Sequence, residues 1–135
     1  MGALIALTIT GLTFPATVYG VKGAGKDFGY ERNCGDVGKA RPCDKNAITA
    51  SGEKFDPYDV SAAVPAPANL RLRVYTVYVK NYRGRCIPLK INDKKSPKYV
   101  GSGGLDLTPA AVFAITGKVP TRYWSGRIEL CGYSS

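Results

Sequence analysis

The sequence predicts a small, mostly β domain closed into a barrel, with one short helix late in the chain. Short apolar runs of strand length recur between turns rich in Gly and Pro, of which the chain has 16 and 9; Gly supplies positive φ and Pro fixes φ where the chain must turn tightly. Only Pro109 to Thr116 carries helix punctuation at both ends, with Thr108 as N-cap, Pro109 as first helical residue and Gly117 as the stop. Closure into a barrel is the arrangement that leaves several short strands without exposed edges. A chain of 135 residues is long enough to bury one core and too short for two domains.

The N-terminal stretch from Gly2 to Phe14 is apolar like the core of a signal peptide, but it has no basic leader and is too short to span a membrane as a helix. The alternation in Leu7-Thr8-Ile9-Thr10 and Leu12-Thr13-Phe14 reads as a strand, so residues 1–16 are expected to be a retained apolar segment and residues 17–135 the barrel domain. Export would then use another route, such as lysis or packaging in a particle. Thr17 to Gly20 reads as the first core strand, and Val21 to Asn46 as a long loop punctuated by glycines.

Ala47 to Pro57 reads as a short strand, a turn and a return, and Val60 to Val64 as another strand. Pro65 to Asn69 is a connection, because two prolines in five residues do not suit a central strand. Leu70 to Val79 alternates most clearly, with Leu70, Leu72, Val74, Thr76 and Tyr78 on one side. A hairpin turn at Asn81 to Gly84 returns the chain as Arg85 to Ile91, where Pro88 marks an edge or a bulge. Arg127 to Cys131 is the closing strand. No repeat, low-complexity tract or linker divides the chain.

Nineteen basic and ten acidic residues give a net charge of +9, which suits an anionic partner. No nucleic-acid fingerprint accompanies the charge, so nucleic acid is not the expected partner. The chain has no His, which removes imidazole acid–base catalysis and most zinc sites; no metal or cofactor is expected. Cys34, Cys43, Cys86 and Cys131 in a domain this small point to two disulfides and an oxidising compartment, against the alternative of four reduced thiols in a cytosolic protein. The sequence allows three connectivities. Cys34 and Cys43 share one turn-rich loop while Cys86 and Cys131 border strands, which favours 34–43 with 86–131.

Two acids stand out. Asp93 follows the strand run ending at Ile91, and Asp106 sits in Leu105-Asp106-Leu107 just ahead of the helix. Together they form the candidate groove, although a turn-forming role for Asp93 and a helix-dipole or bracing role for Asp106 are the structural alternatives.

Taken in order, Tyr19-Gly20, Thr49-Ala50-Ser51-Gly52-Glu53-Lys54-Phe55-Asp56, Ser61-Ala62-Ala63, Arg73-Val74, Gly84-Arg85, Ile91-Asn92-Asp93 and Leu105-Asp106-Leu107-Thr108-Pro109-Ala110-Ala111 resemble the rare lipoprotein A family. Its members are septal or wall-associated lytic transglycosylases, and expansins share its barrel. The likeness extends from Thr17 to Cys131 and rests on the Thr-Ala-Ser-Gly-Glu and Ile-Asn-Asp strings in this order. It implies a six-stranded double-psi β-barrel with one short helix, and places the family's acid on Asp93 and the expansin-type acid on Asp106. The family's His falls on Val64, and the expansin-like aromatic two residues beyond the first acid falls on Lys95.

The chemistry implied by the resemblance is cleavage of wall glycan strands with Asp93 as general acid and Asp106 as its partner. A lytic transglycosylase needs an acid for the leaving oxygen, after which the sugar's own hydroxyl attacks, so neither a cofactor nor a second protein nucleophile is required. Thr49, Ser51 and Glu53 are candidates for hydrogen bonds to sugar, and Tyr19, Tyr58, Tyr123 and Trp124 for stacking on sugar rings. Lys94, with Lys95 and Lys98, is placed to favour peptidoglycan or another anionic wall polysaccharide, and to lower the Asp93 pKa. The expected location is secreted, periplasmic or envelope-associated, or within a virion. The alternatives are an expansin-like or inhibitory module that binds polysaccharide or protein without cleaving it, and a structural component of a secreted or phage particle assembled through the apolar N-terminus.

Overall fold

The computed structural model describes residues 12–19, 48–56, 58–67, 69–95, 104–120 and 124–133. Among the described residues the regular structure is six strands, β1 (Thr13–Val18), β2 (Ser61–Pro65), β3 (Tyr75–Lys80), β4 (Cys86–Lys95), β5 (Leu105–Leu107) and β6 (Ser125–Tyr133), and one helix, α1 (Pro109–Thr116). The strands close into a barrel in the order β1-β5-β2-β4-β3-β6. The expected class, mostly β with a closed six-stranded barrel and a single short helix, is the one the described residues adopt.

The pairing has an internal symmetry. β1 runs parallel to β5 and β2 parallel to β4, while every other neighbour is antiparallel. Advancing each strand by three converts the β1–β5 pair into β4–β2 and the β1–β6 pair into β4–β3, so the two halves of the chain are related by a pseudo-dyad through β2 and β5. This twofold arrangement of crossing parallel pairs is the topology of a double-psi barrel.

Alternation then divides the strands between two faces. Ala16, Ala62, Val79, Leu89, Ile91, Leu107 and Ile128 point inward and form the core with Ala111, Val112 and Ile115 of α1. The helix begins where its sequence predicts: the Thr108 hydroxyl accepts from Ala111 N at 3.1 Å and donates to the Asp59 carbonyl at 2.7 Å. It ends at Gly117, whose φ of 75° suits the left-handed cap and whose N–H reaches the Phe113 carbonyl at 2.8 Å.

Several boundaries differ from expectation. β1 begins at Thr13 and crosses the division placed at residue 17, with Ala16 already in the core. Regular pairing in β3 starts only at Tyr75, later than the expected start at Leu70, and its buried residue is Val79, on the side opposite to Leu70, Leu72, Val74, Thr76 and Tyr78. The reason is tertiary: β3 is set by its antiparallel register with β4, Val77 opposite Leu89 and Val79 opposite Ile87. Pro88 is accommodated because β2 meets β4 only from Lys90 onward, leaving residues 86–89 paired to β3 alone. Cys86 and Cys131 form a disulfide with Cα atoms 6.1 Å apart, tying β4 to β6 across β3. Cys34, Cys43, Lys98, Tyr123 and the apolar stretch before Leu12 lie outside the described residues. Among those described, no helix is long and apolar enough to cross a membrane.

Candidate functional site

β4 extends through Lys95, so Asp93 belongs to a strand rather than to a turn after one. A bulge sets its direction. Ala62 pairs with Ile91, but Ala63 pairs with Asp93, and the register skips Asn92. Without that extra residue Asp93 would share the inward phase of Ile91; with it, Asp93 joins Ala63 on the outer face of the barrel. On the other side of β2, Ala63 pairs with Asp106 of β5, which pairs in turn with Thr17 of β1, and Thr17 with Ser125 of β6. The outer face therefore carries one row across five strands: Ser125, Thr17, Asp106, Ala63 and Asp93. The two acids flank a single alanine, with Cα atoms about two strand spacings, or roughly 9.5 Å, apart.

A hairpin packs over one end of the row. Ile48 bridges Lys54, Thr49 N donates to the Glu53 carbonyl at 2.7 Å, and Gly52 makes the turn with φ 94°. Its tip docks on the bulge: Ser51 N reaches the Asn92 carbonyl at 3.1 Å and Ala50 N the Asp93 Oδ1 at 2.9 Å. The Thr-Ala-Ser-Gly-Glu and Ile-Asn-Asp strings, forty residues apart in the chain, thus meet directly. Beneath them Tyr19, Phe55 and Ala63 form a second small core, with the two aromatic rings 5.1 Å apart.

Burial pushes the Asp93 carboxyl above its ordinary pKa, against the opposing pull of the Ala50 and Lys94 N–H groups, the Tyr19 hydroxyl and the Lys94 charge. The Lys94 N–H donates to Oδ1 at 2.9 Å and Tyr19 Oη to Oδ2 at 3.3 Å. Asp106 is also raised, first by burial and further by the charge of Asp93, while the Thr17 hydroxyl, donating at 2.8 Å, and the Lys95 charge pull it down. Desolvation outweighs the lysines, so the expected lowering of Asp93 by its basic neighbours is reversed in net direction. Lys94 turns its ammonium to the Pro67 carbonyl at 3.3 Å and to that of Leu70, fastening the β2–β3 connection.

The other expected contacts sort into groups. Tyr19 reaches Asp93 directly. Thr49 is buried and hydrogen-bonded to Ser51 at 2.9 Å, so both hydroxyls hold the hairpin. Glu53 braces β4, its Oε1 accepting from Asn92 Nδ2 at 3.0 Å and its Oε2 pairing with Lys90 at 3.4 Å; Lys90 also pairs with Asp59 at 2.6 Å. Tyr58 stays exposed on the turn ahead of β2, where its N–H donates to Asp56 Oδ1 at 2.9 Å. Trp124 is half-buried and packs against the barrel core at the start of β6 rather than standing out as a platform. Val64 also packs against that core. A histidine there would point into the barrel, away from the outer row.

Sequence reasoning missed Thr17, Ala63 and Asn92. Alternation in β2 and the pairing of Ala63 with both acids were beyond reach without the register. The Oδ1 of Asn92 is buried with no hydrogen-bond partner among the described residues, a cost incurred where the bulge redirects Asp93. No protein-family model matches the chain, and no curated protein matches it. Among the described residues no group of His, Cys, Asp and Glu is arranged to hold a metal ion.

Proposed function

We propose that the outer row is a glycan-cleaving groove directed at peptidoglycan, working in the manner of a lytic transglycosylase. The observation that carries the reading is the pair of desolvated carboxyl groups, Asp93 and Asp106, on either side of Ala63 and facing away from the core. A carboxyl that burial makes hold its proton more tightly than usual can donate to a glycosidic oxygen, and a flanking carboxylate can stabilise the positive charge that develops on the sugar. The resemblance to the rare lipoprotein A family supports the same chemistry.

The hydrogen bonds support a division of roles other than the sequence expectation of Asp93 as general acid. Asp93 accepts from two backbone N–H groups and a phenol, all of which favour its charged form. Asp106 accepts from one hydroxyl and faces the charge of Asp93. In this reading Asp106 is the proton donor and Asp93 the charged partner. The muramyl C6 hydroxyl attacks intramolecularly as the glycosidic bond breaks, its proton passing to a carboxylate of the pair, and the product is an anhydro sugar.

The test is a leaving-group comparison. Asp106→Asn is expected to lose about 10²–10⁴ in rate on wall glycan, yet to retain most of its rate on an aryl muramyl glycoside, whose phenolate leaves without a proton. Asp93→Asn is expected to be slow on both. Equal rescue of the two variants sinks the division of roles, and no cleavage by the unaltered chain sinks the enzymatic reading. Sedimentation with insoluble peptidoglycan without cleavage would instead favour an expansin-like binding module.

A further inference from the structure

The row next to the acids carries charge of the opposite sign. Pro15 pairs with Arg127 of β6, two residues along from the Thr17–Ser125 pair, and at the other end Pro65 pairs with Lys95 of β4, two along from Ala63–Asp93. Gly104, immediately before β5, lies between them. A Cβ at Gly104 would run into the Pro15 carbonyl oxygen, so only glycine lets the chain entering β5 approach β1 so closely here. A hollow of about 380 Å³ opens at this point, lined by Pro15, Thr17, Lys95, Gly104, Ser125 and Arg127 among others. Its volume is that of a small-ligand site, which span about 300–1,000 Å³.

Neither cation at the hollow is in an ion pair among the described residues, and Arg127 is held in place. The ion pairs among the described residues are Lys80–Glu129, Lys90–Glu53 and Lys90–Asp59, and neither Lys95 nor Arg127 takes part in one. Arg127 is oriented by neutral oxygens, its Nη2 donating to Thr13 Oγ1 at 3.0 Å and to the Thr13 carbonyl at 3.4 Å. Lys95 acts on Asp106 by its charge. Thr17 belongs to both places: it donates to Asp106 and lines the hollow. A sugar at the acids therefore has its neighbour, or its own substituent, within reach of two cations and the Ser125 hydroxyl.

We propose that this hollow is a subsite for the carboxylate of an acidic sugar, held by Lys95 and Arg127 beside the Asp106 end of the groove. The inference rests on the glycan-cleaving reading and narrows it, because it selects strands whose sugars carry a carboxylate over neutral strands of the same backbone. A guanidinium fixed by neutral acceptors and a flexible ammonium are the pairing suited to such a group.

The test uses two monosaccharide probes, N-acetylmuramic acid and N-acetylglucosamine, which differ by the lactyl ether and its carboxylate. Binding to the full chain with its disulfides intact is followed by NMR titration at about 0.15 M salt, where distant charges are screened. The expected result is at least a tenfold preference for the acidic sugar, with the largest shifts at Thr17, Gly104, Ser125 and Gly126. Lys95→Gln and Arg127→Gln, measured separately so that loss of the Thr13 contact in one does not decide the outcome, should each reduce the preference severalfold. A control removing exposed charge elsewhere, Arg83→Gln with Lys118→Gln, should keep it. Equal affinity for the two sugars overturns the subsite, as does an equal loss in the control, which would assign the preference to net charge. The two readings fail separately: absence of glycan cleavage with the preference intact rejects the enzymatic function alone, and cleavage without the preference rejects the subsite alone.

Discussion

Ala62 and Ala63 are neighbours in β2, yet they belong to two different constructions. Ala62 is fully buried inside the barrel among Leu89, Ile91 and Leu107, where every side chain is apolar and alternation in the sequence governs the packing. Ala63, one residue on, is the floor between two carboxyl groups on the outside, covered at one end by Tyr19 and Phe55. The inner face gains stability by removing apolar surface from water. The outer face spends some of it, holding two carboxyls and an amide oxygen where water is scarce. The same six strands thus carry a stabilising side and a side that bears the two acids, and the bulge at Asn92 moves Asp93 from one to the other.

The contrast is tested most severely by truncating the inner face. Leu89→Ala should cost about 2–5 kcal/mol of stability, read from denaturant unfolding, while leaving the cleavage rate of the folded fraction nearly unchanged; a large rate defect in fully folded protein would mean that the two faces are not separable. A smaller effect is expected where the hairpin grips the bulge. Gly52 adopts φ 94°, so Gly52→Ala should cost about 1 kcal/mol or somewhat more and also slow cleavage by loosening the Ala50 donor from Asp93. Loss of stability with no change in cleavage would show that the hairpin only covers the site.

The smallest effect is the most specific to the outer face. Because the folded-state pKa of Asp106 lies above its unfolded value, the folded protein binds the extra proton between the two, and stability falls as pH rises through that window. Asp106→Asn removes the ionisable group, so it should be more stable than the parent at neutral pH, with the advantage vanishing below the unfolded carboxylate pKa of about 3.9. Thermal midpoints at pH 3 and pH 7 check this; a variant less stable at pH 7 would mean that the carboxylate is a net structural asset.

How much of this was legible in the sequence follows the same division. The helix was readable to the residue because Thr108, Pro109 and Gly117 act through local geometry. Strands β2, β4 and β6 were readable from apolar runs, and the 86–131 disulfide from the positions of its cysteines. The phase of β3 was not, since the alternating run from Leu70 to Val79 carries apolar residues on both sides and only pairing with β4 decides between them. β5, at three residues, is too short to show alternation. Asp93 and Asp106 were singled out, but their common row depends on a bulge and on the parallel and antiparallel partners of β2, which no local signal encodes. Glu53 and Trp124 illustrate the converse: polar and aromatic residues in suitable strings that fold into braces and packing rather than into the groove.

The central claim is that the outer row breaks glycan strands. It is tested most directly by incubating purified sacculi with the full chain and analysing the released muropeptides by mass. The account predicts soluble products ending in anhydro-muramic acid, with release falling about 100-fold or more in Asp106→Asn and in Asp93→Asn. Products carrying an added water instead of the anhydro ring, or no release under any condition, would contradict it.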